Sequence, residues 1–392
     1  MKTMLRNFVF GSLLWLSAIT GASAAAESPA NARPVDRAAL SAAVSARLEQ
    51  ARAAGFSGSV LIADADSIVF EHGYGQADPA TGAPVRADTR FNLASSGKMF
   101  TAVAVLQLVQ QGKLNLDTPI GRYLPDWPVA RVRDTVTPRQ LLTHTSGLGS
   151  YWGAAFQAAR ATLRTLGDYA PLLAQEPAFE PGQGWQYSNS GFVLLGLLVE
   201  AASGEDYYDY VAKHIFTPAG MRDSGYFAID GKAERVAIPH NGGGGAEKNR
   251  SYAMPEPRGA GAGGGYSTPK DLLRFHRALT GGRLLDARTY ELLMSAVNLP
   301  PAARGRPPHG LGMLRYQVGE DIAYGHPGGA QGIGVDFRAG KSSGWALVVM
   351  SNVSDPFTME IGTDLARIIA EAGGQDLRFP GMRMRGPGRP AP

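Results

Sequence analysis

Residues 95–111 read SSGKMFTAVAVLQLVQQ, a Ser-x-x-Lys motif followed by a long apolar run. The apolar residues recur with helical spacing, which predicts a largely buried helix that ends at Gly112. Ser95 would then lie at the positive end of the helix dipole, with Lys98 one turn later on nearly the same face. A buried lysine gives up its proton more easily than a solvated one, so Lys98 could act as a base toward the Ser95 hydroxyl.

A Ser-x-x-Lys motif alone is a weak signal, because the serine could be a plain helix cap and the lysine a solvated charge. A second such motif lies at residues 267–270, where a proline in the first turn is typical of an ordinary helix start. Residues 340–344 match the Gly-x-Ser-x-Gly nucleophile pattern, but they lie between two predicted strands and indicate a hairpin turn. Specificity for Ser95 must therefore come from other motifs.

The chain on either side of this segment predicts a mixed α/β protein of the α+β type. Upstream, Asp36 is expected to cap a helix, and the β-rich runs 58–63 and 68–75 are expected to form a hairpin. Residues 116–221 carry helical patterns interrupted by proline and glycine, which predicts a mostly helical region. Downstream, three strands and an amphipathic helix are predicted at 311–318, 332–338, 345–352 and 357–372.

Glycine dominates residues 238–265, so regular structure is not expected there. Two interpretations remain open, a flexible surface loop and a mobile wall beside the site.

Two further motifs lie downstream of the Ser-x-x-Lys helix. Tyr187-Ser188-Asn189 is the only Tyr-x-Asn in the chain and precedes an apolar segment. A tyrosine hydroxyl can relay protons, and an asparagine amide can orient both a lysine and a substrate amide. His326-Pro327-Gly328-Gly329 comes between strand-like runs, where glycine allows the backbone to approach a substrate closely.

In this order, the Ser-x-x-Lys, Tyr-x-Asn and His-x-Gly motifs resemble those of the serine β-lactamase and penicillin-binding superfamily. The closest resemblance is to the class C β-lactamase and DD-peptidase-like branch, which includes many esterases. Residues 141–148 and 264–268 look like secondary landmarks of that family, and the resemblance covers roughly residues 39–372. It implies an antiparallel sheet flanked by helices, an all-helical lobe inserted after the nucleophile helix, and a site in the cleft between them.

The resemblance also implies catalytic roles for individual residues. Ser95 would be the nucleophile that forms an acyl-enzyme, while Lys98 and Tyr187 would share the base and acid duties. Asn189 would contact both Lys98 and the substrate.

The third motif and the oxyanion hole follow from the same resemblance. His326 and Gly328 would occupy the third motif, and the backbone amides of Ser95 and Gly329 would stabilise the tetrahedral charge. His144 matches a structural landmark of the family and is not assigned to catalysis.

The third motif departs from its relatives in a way that bears on substrate. β-Lactamases of this branch carry Lys-Thr-Gly and the related DD-carboxypeptidases His-Thr-Gly-Thr, and those hydroxyls help to hold a substrate carboxylate. Here Pro327 and Gly329 supply no hydroxyl. The sequence therefore favours an esterase or amide hydrolase acting on neutral acyl groups, then a DD-peptidase, with an efficient β-lactamase last.

The alternative class of function is a catalytically silent member of the family that binds cell-wall or peptide ligands. The intact Ser95, Lys98 and Tyr187 argue against it, because a pure binding protein needs none of them.

Both ends of the chain predict segments outside the folded domain. Residues 1–24 have a basic start, small residues at the end, and an apolar run shorter than the roughly 20 residues that a bilayer requires. They predict a cleaved signal peptide and an exported protein, periplasmic or secreted. A linker at 25–35 would precede the hydrolase domain at 36–376, and residues 377–392 would form a disordered basic tail.

Composition excludes several function classes. The 392 residues contain no cysteine, and their seven histidines form no His-Glu-x-x-His cluster, so neither a metal nor another cofactor is expected. Five basic residues of the leader and tail account for the net charge of +4, so nothing indicates nucleic-acid binding. The expected partners are small ester, amide or D-peptide substrates, with no stable membrane anchor after signal cleavage. The oligomeric state stays open.

Overall fold

The computed structural model describes most of the chain between residues 35 and 373. The described residues are 35–228, 234–240, 257–303, 308–318, 321–353 and 357–373. The predicted signal peptide and basic tail lie outside them, as do nearly all of the predicted linker and the last three residues of the predicted domain. Within the described ranges, no helix is both long and apolar enough to cross a membrane.

The strands assemble mainly into one antiparallel sheet. Within the described residues they are β1 Gly58–Ala63, β2 Ile68–Tyr74, β3 Gln76–Asp78, β4 Ala83–Pro84, β5 Phe91–Asn92, β6 Tyr266–Ser267, β7 Leu314–Val318, β8 Asp321–Gly325, β9 Gly328–Ala330, β10 Ile333–Gly340 and β11 Ala346–Ser351. The large sheet has the order β2-β1-β11-β10-β8-β7, and β9 pairs with β10. Separately, β3 pairs with β4 and β5 with β6.

Both ends of the chain build this sheet, as the sequence predicts. The β1–β2 hairpin turns on Asp64, whose side chain accepts hydrogen bonds from the backbone N–H groups of Asp66 and Ser67 at 3.0 and 2.8 Å. β1 then pairs with β11, and Gly58 lies opposite Ser351. The N-terminal hairpin is thereby joined to the C-terminal strands.

Helices cover both faces of the sheet and fill the middle of the chain. In the described residues they are α1 Arg37–Ala53, α2 Lys98–Gln110, α3 Ala130–Thr135, α4 Pro138–Leu142, α5 Ala154–Ala159, α6 Leu166–Leu173, α7 Asn189–Ser203, α8 Tyr207–Val211, α9 Thr217–Ala219, α10 Pro269–Thr280, α11 Ala287–Met294 and α12 Phe357–Gly373. A π-helical turn, Ala212–Phe216, joins α8 to α9. The predicted helix after Asp36 is confirmed, since the Asp36 side chain caps α1.

Alternation along β1 separates two apolar layers. Val60 and Ile62 pack with α1 and α12 on one face of the sheet, and Leu61 and Ala63 pack with α2 and the helical lobe on the other. β1 and β11 are buried along their whole length, as expected for central strands with both faces covered.

The predicted helical lobe is confirmed. The described residues between β5 and β6 form helices and loops, with only isolated bridges to strand positions. α7 is its central helix; it begins at the Tyr-x-Asn motif and packs against α2, α4 and α6. The lobe therefore brings the second motif to the start of the nucleophile helix.

The start of the nucleophile helix differs from the prediction. Residues Ala94–Gly97 form a 3₁₀ turn, and the α-helix begins only at Lys98. The reason is Ala94, whose φ of 41° lies in the left-handed region and whose N–H donates to Asn92 Oδ1 at 2.8 Å. Ser95 is therefore in a tight turn and does not cap the helix.

The two decoy motifs behave as ordinary local structure. Thr268 caps α10, with Pro269 in its first turn, and Ser267 lies in β6. Residues 340–344 turn between β10 and β11.

Of the two interpretations of the glycine-rich run, the flexible surface loop is wrong for the part that the structure describes beside the site. Residues 241–256 lie outside the described residues. Residues 257–265 lie along the cleft beside Ser95, where Ala260 and Ala262 are buried.

Candidate active site

Ser95 lies at the bottom of a cleft between the sheet and the helical lobe. Asn189 lines this cleft from the lobe, Gly263 from the glycine-rich segment, and Gly329 from β9. The left-handed residue before Ser95 costs about 1–3 kcal/mol and turns the chain sharply toward the cleft. A Cβ on Gly263 would lie 1.9 Å from the carbonyl oxygen of Ala94, so only glycine fits against this turn.

Lys98 is fully buried directly behind the serine. Its Nζ lies 3.2 Å from Ser95 Oγ, 2.8 Å from Asn189 Oδ1 and 2.7 Å from the carbonyl oxygen of Ala262. The last two atoms only accept hydrogen bonds, so they take two N–H groups of the amine. The third tetrahedral direction points at Ser95, where a neutral amine would present its lone pair.

Asn189 is held in the orientation that this contact needs. Its Nδ2 donates to Ser150 Oγ at 3.2 Å, which leaves Oδ1 turned toward Lys98. Ser188 caps α7 by accepting from the N–H of Gly191 at 2.8 Å, and this cap fixes where the helix begins.

Tyr187 reaches the same serine from the other side. Its hydroxyl hydrogen-bonds to Ser95, and its ring centroid lies 4.9 Å from Lys98 Nζ. Burial raises the pKa of Tyr187 to about 12, although the hydrogen bond to Ser95 opposes this. The phenol therefore keeps its proton at neutral pH and is available as a proton donor.

His144 supports Tyr187 from behind. Its backbone has a φ of 61°, and its Nδ1 accepts from the N–H of Ser188 at 3.1 Å. The imidazole lies 4.5 Å from the Tyr187 ring. Burial, then the charge of Lys98, lowers the pKa of His144 well below its usual value, so the ring is neutral. These contacts hold the Tyr187–Ser188 segment in place, and they give His144 no part in proton transfer.

The third motif packs directly on the nucleophile turn. Ser96 Oγ donates to the carbonyl oxygen of His326 at 2.7 Å. A Cβ on Gly328 would lie 2.2 Å from the carbonyl oxygen of Leu93 and 3.1 Å from the backbone nitrogen of Ser96. β9 is thus in backbone contact with residues on either side of Ser95, and this contact places Gly329 at the cleft.

His326 is neutral and faces the aromatic side of the site. Its Nδ1 lies 2.6 Å from the carbonyl oxygen of Pro327, an acceptor, so the proton is on Nδ1. Burial, then the charge of Lys98, lowers the pKa of His326 to about 3. Its ring centroid lies 6.3 Å from that of Tyr187.

The cleft is apolar and aromatic at its mouth. None of the described residues that line it carries a charged side chain. Trp152 lines it while 53% exposed, and Tyr151 and Ile333 add further apolar surface. Trp152 is not among the predicted site residues, because nothing in the sequence distinguishes a tryptophan at a cleft from one in a core.

The described residues contain no group of three or more side chains that could hold a metal ion. What the arrangement can do chemically is activate the Ser95 hydroxyl between an amine and a phenol. It can also present backbone N–H groups from two sides.

Three buried histidines predict acid sensitivity of the fold. Burial is the main cause that lowers the pKa of His276 to about 4, of His326 to about 3, and of His144 well below its usual value. An unfolded chain protonates histidine below a pH of about 6.5, whereas the folded chain does not. The free energy of unfolding should therefore fall as the pH drops from about 6.5 toward 4, by up to about 1.4 kcal/mol per pH unit for each histidine.

Urea unfolding of the wild type and of His276→Asn at pH 7, 6 and 5 checks this. The variant should lose stability less steeply with falling pH than the wild type. Equal slopes for the two proteins would contradict the assignment.

The chain is similar to proteins of known family. A family model described as "Beta-lactamase" matches residues 40–371. Esterase EstB of Burkholderia gladioli is 38% identical over 227 residues, which is 53% of this chain and 57% of that protein. The match spans little more than half the length of this esterase and of two penicillin-binding relatives from Bacillus subtilis.

Two solved structures show the same fold over most of the chain. A penicillin binding protein from Bacillus halodurans superposes with a TM-score of 0.73 at 30% identity, covering 84% of this chain and 98% of that one. D-amino acid amidase from Ochrobactrum anthropi SV3, solved with L-phenylalanine amide, gives a TM-score of 0.69 at 26% identity, covering 85% and 98%.

Proposed function

Because the chain belongs to the beta-lactamase family, we propose that it is a serine hydrolase that cleaves an ester or amide through an acyl-enzyme on Ser95. The observation that carries this proposal is a pair of contacts to one hydroxyl. Lys98 Nζ lies 3.2 Å from Ser95 Oγ, and the hydroxyl of the half-buried Tyr187 bonds to the same side chain. A serine that serves only the turn would need neither a buried amine nor a phenol bonded to its hydroxyl.

In acylation, Ser95 Oγ attacks the substrate carbonyl carbon while its proton passes to the Lys98 amine. The bond to the leaving group then breaks as that group takes a proton from the Tyr187 hydroxyl. Lys98 returns its extra proton to Tyr187, so the proton lost by the serine ends on the leaving group.

In deacylation, a water attacks the acyl-enzyme and the same groups act in the reverse direction. The water gives its proton to the relay, and Ser95 Oγ recovers one as the acyl group leaves. Backbone N–H groups of Ser95 and Gly329 would stabilise the oxyanion in both steps, and the packing of Gly328 on residues 93 and 96 supports this placement.

A neutral acyl group suits the cleft better than a carboxylate does. Pro327 and Gly329 offer no hydroxyl, and the described lining carries no charged side chain. Arg258 is engaged elsewhere, because its guanidinium lies 3.6 Å from the ring centroid of Tyr208 and its Nε donates to the carbonyl oxygen of Tyr226. Each missing charge-assisted hydrogen bond would cost about 1.5–3 kcal/mol of carboxylate binding, or roughly 10- to 150-fold in affinity.

We therefore expect kcat/KM to be highest for a neutral short-chain p-nitrophenyl ester. A D-alanyl-D-alanine peptide should come second and nitrocefin last, once each value is divided by the uncatalysed hydrolysis rate of the same bond. Steady-state assays of one purified preparation on all three substrates give the comparison. The esterase and amidase among the similar proteins make the first class of substrate plausible.

A higher corrected value for nitrocefin or the D-peptide would show that the missing hydroxyls do not set the substrate. No turnover of any of the three would favour the silent ligand-binding alternative.

We further propose export to the periplasm or beyond the cell, on the grounds of the leader-like residues 1–24. The N-terminus of the mature protein, read by mass spectrometry, should lie just after residue 24.

A further inference from the structure

Residues 258–264, here called the glycine wall, form the side of the cleft that faces the helical lobe. Side chains from surrounding elements hold most of its carbonyl oxygens. In each bond a side chain donates to a backbone carbonyl oxygen. The pairs, with the donor first, are Tyr169 and Arg258 at 3.3 Å, Tyr208 and Gly259 at 2.9 Å, Thr101 and Gly261 at 2.7 Å, Lys98 and Ala262 at 2.7 Å, and Asn92 and Gly264 at 3.3 Å.

Two of these donors come from the nucleophile helix and grip adjacent peptides. Lys98 and Thr101 are one turn apart on α2, and they donate to the consecutive carbonyls of Ala262 and Gly261. The position of one carbonyl therefore constrains the other. Whatever fixes the Gly261 carbonyl also fixes an acceptor of the Lys98 amine.

The Thr101 contact has a defined hydrogen-bond direction. Thr101 Oγ1 has a single proton, which goes to the Gly261 carbonyl, so it must accept from the Tyr207 hydroxyl 2.7 Å away. Because the Tyr207 hydroxyl donates its only proton to Thr101, it accepts a hydrogen bond from the Tyr226 hydroxyl at 3.1 Å. Tyr226, Tyr207 and Thr101 form a directed chain of buried hydroxyls, called here the hydroxyl chain, that ends on the glycine wall.

The hydroxyl chain stays neutral. Burial is the largest cause that raises the pKa of Tyr207 to about 12 and that of Tyr226 well above its usual value. Neither phenol ionises near neutral pH, so the direction of the chain is constant.

The glycine wall packs so closely against neighbouring backbone that it has no room for side chains at Gly261 and Gly263. A Cβ on Gly261 would lie 2.4 Å from the carbonyl oxygen of Phe192 in α7. On the other side, Gly263 touches Ala94 in the turn before the serine. With glycine required at these contacts, hydrogen bonds to the backbone carbonyls take over the role of locating this segment.

We infer that the hydroxyl chain is a positioning device for catalysis, which holds the Gly261–Ala262 peptide so that the Lys98 amine points at Ser95. Thr101 and Tyr207 are positioning residues, since they act on the reaction only through Lys98. This inference rests on the proposed function, because it assigns them a role in the activation of Ser95. Displacement of a catalytic group by about 1 Å can cost on the order of 10²-fold in rate.

The test is a set of substitutions on a short-chain p-nitrophenyl ester, with the active fraction of each preparation counted by fluorophosphonate labelling. Thr101→Val keeps the shape of the side chain and removes the donor to Gly261. It should lower kcat by about 10-fold or more with KM within about 2-fold, because neither Thr101 nor Gly261 lines the cleft. Thr101→Ser restores the hydroxyl and should return kcat to within about 3-fold of wild type.

Tyr207→Phe should lower kcat less than Thr101→Val, by roughly 3-fold, because the bond from Thr101 to Gly261 remains. Tyr210→Phe is the matched control: it removes a phenol from the same helix whose hydroxyl bonds to Gln111 and not to a described residue of the glycine wall, and kcat should not change. Thermal unfolding of each variant reports on folding separately.

Two results would overturn this inference and leave the proposed function standing. The first is normal labelling of Ser95 with unchanged kcat in Thr101→Val. The second is a kcat in Thr101→Ser that stays as low as in Thr101→Val. If Thr101→Val does not fold, unchanged kcat in Tyr207→Phe has the same meaning. An unlabelled wild-type protein would instead overturn the proposed function, and the inference with it.

Discussion

Replacing Ser95 with alanine should lower kcat for every accepted substrate by on the order of 10⁴-fold or more. No other described hydroxyl lies between the Lys98 amine and the Tyr187 phenol, so the variant has no atom that can form the acyl-enzyme. Steady-state hydrolysis of a p-nitrophenyl ester measures this loss. Thermal unfolding should be nearly unchanged, because the side chain is small, partly exposed and lines the cleft.

Ser342→Ala is the matched control for this loss. Ser342 belongs to the serine motif of the β10–β11 turn, is exposed, and should tolerate alanine with full activity. Activity of Ser95→Ala equal to that of the wild type would refute the assignment of the nucleophile.

The second large effect is expected from the proton relay. Lys98→Ala and Tyr187→Phe should each lower kcat by on the order of 10²-fold or more, because each removes one part of a single relay. The double variant should be little worse than the poorer single variant, since residues that act as a unit are not additive. Rates from presteady-state acylation, corrected for folded fraction, give the comparison.

Lys270→Ala serves as the control here. Lys270 is the lysine of the second Ser-x-x-Lys motif, and its amine pairs with Glu71 of β2 at 2.9 Å. Losses in the double variant that equal the product of the two single losses would mean that Lys98 and Tyr187 act independently.

Most of the architecture follows from local sequence patterns. The helix after Asp36, the hairpin on Asp64 and the helical lobe each have a periodicity or a turn residue that identifies them. The three motifs also identify a site whose members the fold brings together, namely Ser95, Lys98 and the segment at residues 187–189. In these cases short-range sequence and the final structure agree.

Contacts through the backbone were not predictable in the same way. The carbonyl of Ala262 is a partner of Lys98, yet any residue has a carbonyl, so no sequence pattern indicates it. The predicted helix begins at Ser95, whereas the α-helix begins only at Lys98. The Ala94 turn that causes this is held by a local hydrogen bond to Asn92 Oδ1 and by a long-range one from the N–H of Gly264, which helix propensity does not reveal. The composition of the glycine-rich run is typical of mobile loops. In the structure, however, Gly261 and Gly263 have no room for a side chain, because other backbone lies against them.

The pairing of β1 with β11 has a consequence for how the chain reaches this structure. Gly58 cannot meet Ser351 until all the residues between them have been synthesised, so the central sheet is a late product of folding. Contacts of such high sequence separation slow folding, because loop closure must precede any gain from pairing. The third motif is made last, so a ribosome-bound fragment holds the serine and the lysine but not the strand that completes their cleft.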